Sequence, residues 1–326
     1  RMLDHATAAR RDGEGADRLH VKAGADAAVL RGVTFDQARY DSFIDLQDKL
    51  HANIARKRTL VAIGTHDLDT LTPPFTYDAR PPSSIEFVPL SQSRPFKADA
   101  LMEYYRTDAS VKHIKPYVGI IAHSDVFPVI TDAAGVTLSL PPIINGEHSK
   151  IMLSTRNVFI ECTATDLAKA HVVLNTVVTM FAEYAATPFT VEQVDVRYEE
   201  PQRTSAVAGG VVSAQRTPDL SDCRMTARLS AIRSMLGLSK PADLPLDRAY
   251  ELAARMQLAK SEGGGAGAGA GAASGGGVVV GDAGEEMLEV LVPPTRSDVI
   301  HECDIIEDVC MAYGFNNVVK KLPATV

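Results

Sequence analysis

The chain has 326 residues, 45% of them hydrophobic, which is enough for folded cores and excludes global disorder. Its length suits two domains or one large one. The net charge of −8 excludes a surface that is basic throughout, and no apolar run is long enough to span a membrane.

Residues 1–28 are rich in Ala, Arg and Asp without a clear period and read as a ragged N-terminal remnant. Asp41 to Arg56 reads as a helix, with Phe43, Leu46, Leu50 and Ile54 on one face and Asp45, Asp48 and Lys49 outside. The basic cluster Arg56-Lys57-Arg58 at its end suits solvated capping or contact with a nucleic-acid backbone. A strand is expected at Leu60 to Ile63, then a proline-marked loop, a strand at 85–89 and a helix at Ala98–Tyr105. Residues 123–145 read as a hairpin around an Asp-Ala-Ala-Gly turn. NVFIECTATD reads as a buried strand, Thr165–Tyr184 as a helix and VEQVDVRYEE as an edge-like strand. The mixture predicts an α+β domain over 29–200, followed by a loose linker over 201–220.

From 221 to 326 the pattern predicts a small second domain of winged-helix type. Its expected helices are Ser221–Leu236, Leu246–Leu258 and Asp298–Tyr313, with a strand at MLEVLV. The Gly/Ala tract at 263–277, within an insertion over 261–277, cannot pack a core and reads as a flexible loop. The four cysteines, Cys162, Cys223, Cys303 and Cys310, have neither CxxC nor zinc spacing and read as reduced thiols of a cytosolic protein. No signal peptide is visible. The chain opens on Arg1 and closes on KKLPATV, which reads as an excerpt from a longer protein.

Two stretches carry chemistry. In the first, VPPTRSDVIHECDIIED, a helix from Asp298 would place Val299, Cys303, Ile306, Cys310 and Tyr313 on an apolar stripe. Asp304, Glu307 and Asp308 would then cluster away from that stripe, and Glu302 would stand apart. This is either a solvated acidic face or a site for a hard cation such as Mg²⁺, which takes carboxylate oxygens but usually only one or two of them. In the second stretch, Glu161 lies in the otherwise apolar FIEC run and points to solvent or into a pocket. Thr163 shares its strand face. Asn145-Gly146 is by itself a hairpin-turn signal, and Gly146 also permits close backbone approach. His148 reads alone as a surface histidine. His66-Asp67 and His301-Glu302 fit no metal motif and read as structural.

RKRTLVAIGTHDLDTL, PPIINGEHSK, TRNVFIECTATD and PPTRSDVIHECDIIEDVCMAYGFNN, in that order, resemble the beta subunit of eukaryotic-type phenylalanine–tRNA ligase. The resemblance runs from about Val29 to the end, weakest across 201–222. It implies an editing (B3/B4-like) domain followed by a B5-like domain, both from a cytosolic enzyme. That enzyme attaches Phe to tRNA(Phe) with ATP, as an (αβ)₂ assembly with an alpha subunit. The synthetic and ATP sites would lie outside this chain, which would hydrolyse mischarged Tyr-tRNA(Phe). Such a second site has a physical reason, because a hydrophobic pocket for Phe rejects Tyr only weakly. The resemblance implies that Glu161 recognises the tyrosine hydroxyl, with Thr163, Asn145, Gly146 and His148 around it. Asn145 would hold the ester carbonyl, and His148 would orient a water or touch the terminal adenosine. It also implies that Asp298, Asp304, Glu307 and Asp308 hold a Mg²⁺ shared with the alpha subunit. The rival expectations are a scaffold that docks the alpha subunit and tRNA with a lapsed site, and a free-standing nucleic-acid-binding protein.

Overall fold

A computed structural model describes residues 24–203, 211–261 and 285–318. The expected Gly/Ala loop and residues 1–23 lie outside the described residues. The chain divides into two units at Asp219/Leu220.

In the first unit, β1 (Gly24–Leu30) is followed by α1 (Gln37–Ala52), β2 (Val61–Asp67) and β3 (Thr76–Arg80). Next come the short pair β4 (Glu86–Phe87) and β5 (Phe96–Lys97), then α2 (Ala98–Thr107) and α3 (Lys115–Val118). The strands β6 (Phe127–Thr131), β7 (Thr137–Leu140), β8 (Ile144–Asn145) and β9 (Val158–Ala164) precede α4 (Leu167–Phe181). The long strand β10 (Glu192–Arg203) and then β11 (Val211–Thr217) complete the unit.

Two sheets result, one in the order β11-β10-β1-β9-β2 and one in the order β3-β6-β7-β8. The first sheet carries helices on one face, where Phe43 and Leu50 of α1 and Val173, Leu174, Val177 and Phe181 of α4 cover Ala28, Leu30, Ile160 and Cys162. On its other face Ala27, Val29 and Phe159 meet Ile130 and Leu138 of the second sheet. The second sheet buries Phe127, Val129 and Leu140 against α2 and α3. The layers thus run helix, sheet, sheet, helix.

Three expectations need correction here. GADAAVL is no remnant but a strand paired along its whole length to β9 and joined to β10. It lies inside the sheet with both faces covered, so no alternation marks it. VEQVDVRYEE is not at the edge: β11, in the stretch expected to be a loose linker, takes that place. Thr217 anchors β11, its hydroxyl accepting from Ala27 N and donating to Ala27 O at 3.0 and 2.7 Å. The hairpin turn is not Asn145-Gly146 but residues 141–143, and Asn145 belongs to β8.

Asp26, 1% exposed, fastens β1 to its neighbours. Its carboxylate meets His171 Nδ1 of α4 at 2.5 Å and accepts from Gln215 Nε2 of β11 at 2.6 Å. Burial raises its pKa, with those partners pulling the other way.

The second unit contains β12 (Cys223–Arg228), α5 (Leu229–Met235), α6 (Leu246–Arg255), β13 (Ala259–Lys260), β14 (Met287–Val292) and α7 (Glu302–Tyr313). A three-stranded antiparallel sheet, β12-β14-β13, packs on the three helices. The first half of the expected helix Ser221–Leu236 is therefore a strand, in register with β14 from Cys223↔Val292 to Arg228↔Met287. CRMTAR has residues acceptable to a helix, and its pairing to a strand some sixty residues later overrides that preference. Gly314 ends α7 with φ +89.

Candidate functional site

Strand β9 sends Ile160, Cys162 and Ala164 into the helix-side core, so Phe159, Glu161 and Thr163 face the second sheet. Glu161 is 4% exposed. Its Oε1 accepts from Ser139 Oγ of β7 at 3.0 Å, and its Oε2 has no hydrogen-bond partner in the chain. Room for this carboxylate comes from Gly64, its cross-strand neighbour on β2. A Cβ on Gly64 would stand 2.1 Å from Oε1. Two residues along β2, His66 is fully buried. Its Nδ1 meets Ser149 Oγ at 2.8 Å, while its Nε2 lies 4.0 Å from Glu161 Oε1 and has no partner. The Tyr77 phenol of β3 is pushed up in pKa by burial and then by Glu161.

A cavity of about 830 Å³ opens onto this carboxylate. Its buried end includes Ser139 and Glu161, and its open end includes the exposed Ile44, Met152 and Leu153. Asn145, paired to Ser139 across β7–β8, lines it as well. Asn145 Nδ2 reaches the Thr65 carbonyl at a long 3.4 Å, which leaves its amide weakly committed.

The other residues expected at the site fall into place as follows. Gly146 lies beside the cavity and not on its wall. Its N–H donates to Leu138 O at 2.6 Å, and a Cβ there would come within 2.6 Å of Thr137 O. Thr163 is fully buried, with an unpartnered hydroxyl, but does not line the cavity. His148 is exposed, donates through Nε2 to Thr70 O at 2.8 Å and lies outside the cavity. Sequence reasoning missed Ser139, Gly64 and His66. Its structural reading of His66-Asp67 holds for Asp67, which accepts from Thr155 Oγ1 at 2.6 Å and caps Asp69 N. It does not account for the free nitrogen of His66.

The acidic segment is arranged differently from its expected form. The helix begins at Glu302, because Asp304 caps it by accepting from Ile300 N and His301 N at 2.8 and 2.7 Å. Those bonds hold the Asp304 carboxyl below its usual pKa. The buried face is Ile305, Asp308, Val309 and Cys310, whereas Cys303 is exposed. Asp308, expected on the solvent side, is 3% exposed and meets Arg296 Nη2 at 2.8 Å. Asp298 engages the same guanidinium at 2.7 Å, and its pKa is lowered chiefly by that bond. Glu302 pairs with Arg228 at 2.9 Å, and Glu307 is exposed. Two of the four acids expected to hold Mg²⁺ thus share one arginine, and a third is spent on a helix cap. Among the described residues no group of three or more His, Cys, Asp or Glu side chains is arranged to hold a metal. The four acids do not fit a single Mg²⁺ as they stand.

Comparison with known proteins agrees with this architecture. Residues 33–194 match the B3/4 domain family and residues 225–315 the tRNA synthetase B5 domain family. The chain is 48% identical over 299 residues to the cytoplasmic phenylalanine–tRNA ligase beta subunit of Arabidopsis thaliana, an alignment covering 92% of this chain and 44% of that protein. It is 45% identical to the phenylalanine–tRNA ligase beta subunit of Homo sapiens, over the same 92% and 44%. The chain therefore spans less than half the length of these relatives. A solved N-terminal fragment of the phenylalanyl-tRNA synthetase beta subunit from Pyrococcus horikoshii superimposes with a TM-score of 0.68 at 26% identity, covering 91% of this chain and 71% of the fragment. On the two domains, their order and this identity, the chain belongs to the phenylalanine–tRNA ligase beta-subunit family.

Proposed function

We propose that this chain is part of an enzyme that attaches phenylalanine to tRNA(Phe) with ATP. In this reading the first unit hydrolyses tyrosyl-tRNA(Phe) made in error. The observation that carries it is the Glu161 carboxylate, buried at the closed end of a cavity with one oxygen lacking a partner. A buried polar group without a partner is costly, and a ligand hydroxyl offsets that cost. A phenol suits the vacant position on Glu161, donating to Oε2. His66, whose Nε2 also lacks a partner, does not line the cavity and receives no role in binding. A phenylalanyl ring has no hydroxyl to donate, so correctly charged tRNA gains nothing here.

Hydrolysis then needs a water directed at the ester carbonyl. The new C–O bond forms and the bond to the ribose oxygen breaks, and the leaving oxygen takes up the proton that the attacking water gives up, becoming the free 3′-hydroxyl. Asn145, on the wall and weakly committed, is the side chain we assign to the carbonyl oxygen. His148 receives no role, since it lies outside the cavity. The substrate's neighbouring ribose hydroxyl supplies the remaining polar group.

The alpha subunit and tRNA(Phe) are the partners of this reading, within an (αβ)₂ cytoplasmic enzyme whose ATP site lies outside the chain. No step is assigned to Mg²⁺ here. No helix among the described residues is long and apolar enough to cross a membrane. The test is deacylation of Tyr-tRNA(Phe) by the full-length enzyme, comparing wild type with Glu161→Ala. Loss of a hydrogen bond to a charged group predicts a fall of about tenfold or more in kcat/KM, with Phe-tRNA(Phe) spared. Unchanged hydrolysis would discard Glu161 as the recognition group and favour a docking role.

A further inference from the structure

The cavity that holds Glu161 is also lined by a cation with no close counter-charge. Arg58 closes the run Arg56-Lys57-Arg58 after α1, in which φ is +48, +53 and +63. Residues other than glycine rarely adopt this region, and three in succession persist only where contacts fix them. Those contacts are present. Leu60 N donates to Ala55 O across the turn, and Arg58 Nη1 donates to Ile143 O at 3.1 Å. The guanidinium lies over the Tyr117 ring, 4.6 Å from its centroid. The fork is thereby fixed against the wall, while its buried Nε–H has no partner.

The charges around it leave this cation unspent. His51 is kept neutral by burial and by Arg58, its pKa lowered to about 3. Asp48 acts on Arg58 from a distance, and burial is the main influence on the guanidinium. Of the other carboxylates on the cavity wall, Asp41 is engaged by Gln37, Asp45 by Lys49 and Glu147 by Lys150, while Glu161 accepts from Ser139 and makes no ion pair with Arg58. A desolvated guanidinium without a carboxylate partner is costly, and its planar fork matches a phosphate.

We propose that Arg58 holds a phosphodiester of the nucleic acid whose 3′ end carries the ester cleaved beside Glu161. This rests on the reading that esterified tRNA enters the cavity. With the amino-acid side chain at the buried end, adenosine extends toward the open end, and the first phosphodiester follows one nucleoside later. The carboxylate of released tyrosine is the other anion this guanidinium suits, and the test separates the two.

The experiment uses the full-length beta subunit assembled with its alpha subunit and three tyrosyl esters. These are Tyr-tRNA(Phe), the tyrosyl ester of the dinucleotide CpA, and tyrosyl-adenosine, which lacks a phosphodiester. Arg58→Gln is expected to raise KM about tenfold or more for the first two, with kcat little changed, and to leave KM for tyrosyl-adenosine as it was. Arg58→Lys, which keeps the charge but loses the fork, should give a smaller rise on the same two esters and serves if Arg58→Gln does not fold. An equal rise on all three esters, or none, overturns the proposal. So does relief of inhibition by free tyrosine in Arg58→Gln, which assigns the guanidinium to the product carboxylate. Glu161→Gln serves as an independent arm. If it hydrolyses all three esters like wild type, the assignment of Glu161 fails, while a phosphate-dependent KM effect at Arg58 still stands.

Discussion

Gly64→Ala is the sharpest perturbation available at the site. The added methyl would lie 2.1 Å from Glu161 Oε1, 2.7 Å from Glu161 Cδ and 2.9 Å from His66 Nε2. The carboxylate has to move, and Ser139 loses its acceptor. A lost hydrogen bond to a carboxylate costs about 1.5–3 kcal/mol, and overpacking adds about 1–3. Taking about 3 kcal/mol, and about 2–4 °C per kcal/mol for a unit of this size, the first unit should melt about 6–12 °C lower. A double-mutant cycle measured by calorimetry isolates the contact. In a Glu161→Ala background two of the three clashing atoms are gone, so the alanine should cost under about 1 kcal/mol and the coupling should be about 2 kcal/mol. Deacylation of Tyr-tRNA(Phe) should fall with the single substitution. Melting within about 2 °C of wild type, or an equal cost in both backgrounds, would refute the argument that Gly64 makes room for the carboxylate.

Two further outcomes are expected. Arg296→Ala strands Asp308 in the second unit without its partner and should cost about 3–5 kcal/mol, whereas Asp298→Ala, at the exposed end of the same network, should cost under about 1 kcal/mol, both by denaturant titration. The pH dependence of the first unit should carry the signature of His51. Its folded pKa of about 3 lies below the unfolded 6.5, so the unfolded chain takes up a proton first, and stability falls as pH drops from about 6.5 toward 3. His51→Gln should flatten that slope, and a slope unchanged by the substitution would contradict the assignment.

What the sequence revealed follows from where each signal resides. The helix α4 and the strand β9 were legible because their apolar spacing is local, and the turn at Gly135 because its φ of +81 suits glycine. The strand β1 was not, since an interior alanine-rich strand shows neither alternation nor bulk. Asp308 looked solvent-facing because a carboxylate in a sequence carries no sign of an arginine waiting to bury it. Glu161 was found from its oddness inside FIEC. Its supports are 22 and 97 positions away, at Ser139 and Gly64, and only cross-strand and sheet-to-sheet contact brings them to it. Nothing in the local pattern around either one announces the carboxylate.

The placement of β1 has a consequence for biosynthesis. Ala28 pairs with Ile160 on one side and Gln193 on the other. At roughly 5–20 residues per second, the second neighbour leaves the ribosome about 8–33 s after β1 does. Until β9 emerges the nascent strand has no native edge to join, its other side stays unpaired until β10 follows, and closure of the sheet waits on nearly two hundred residues of translation. A polypeptide interrupted before β10 is complete would keep one side of β1 open, which makes it a client for chaperones and proteases and not a shorter working domain.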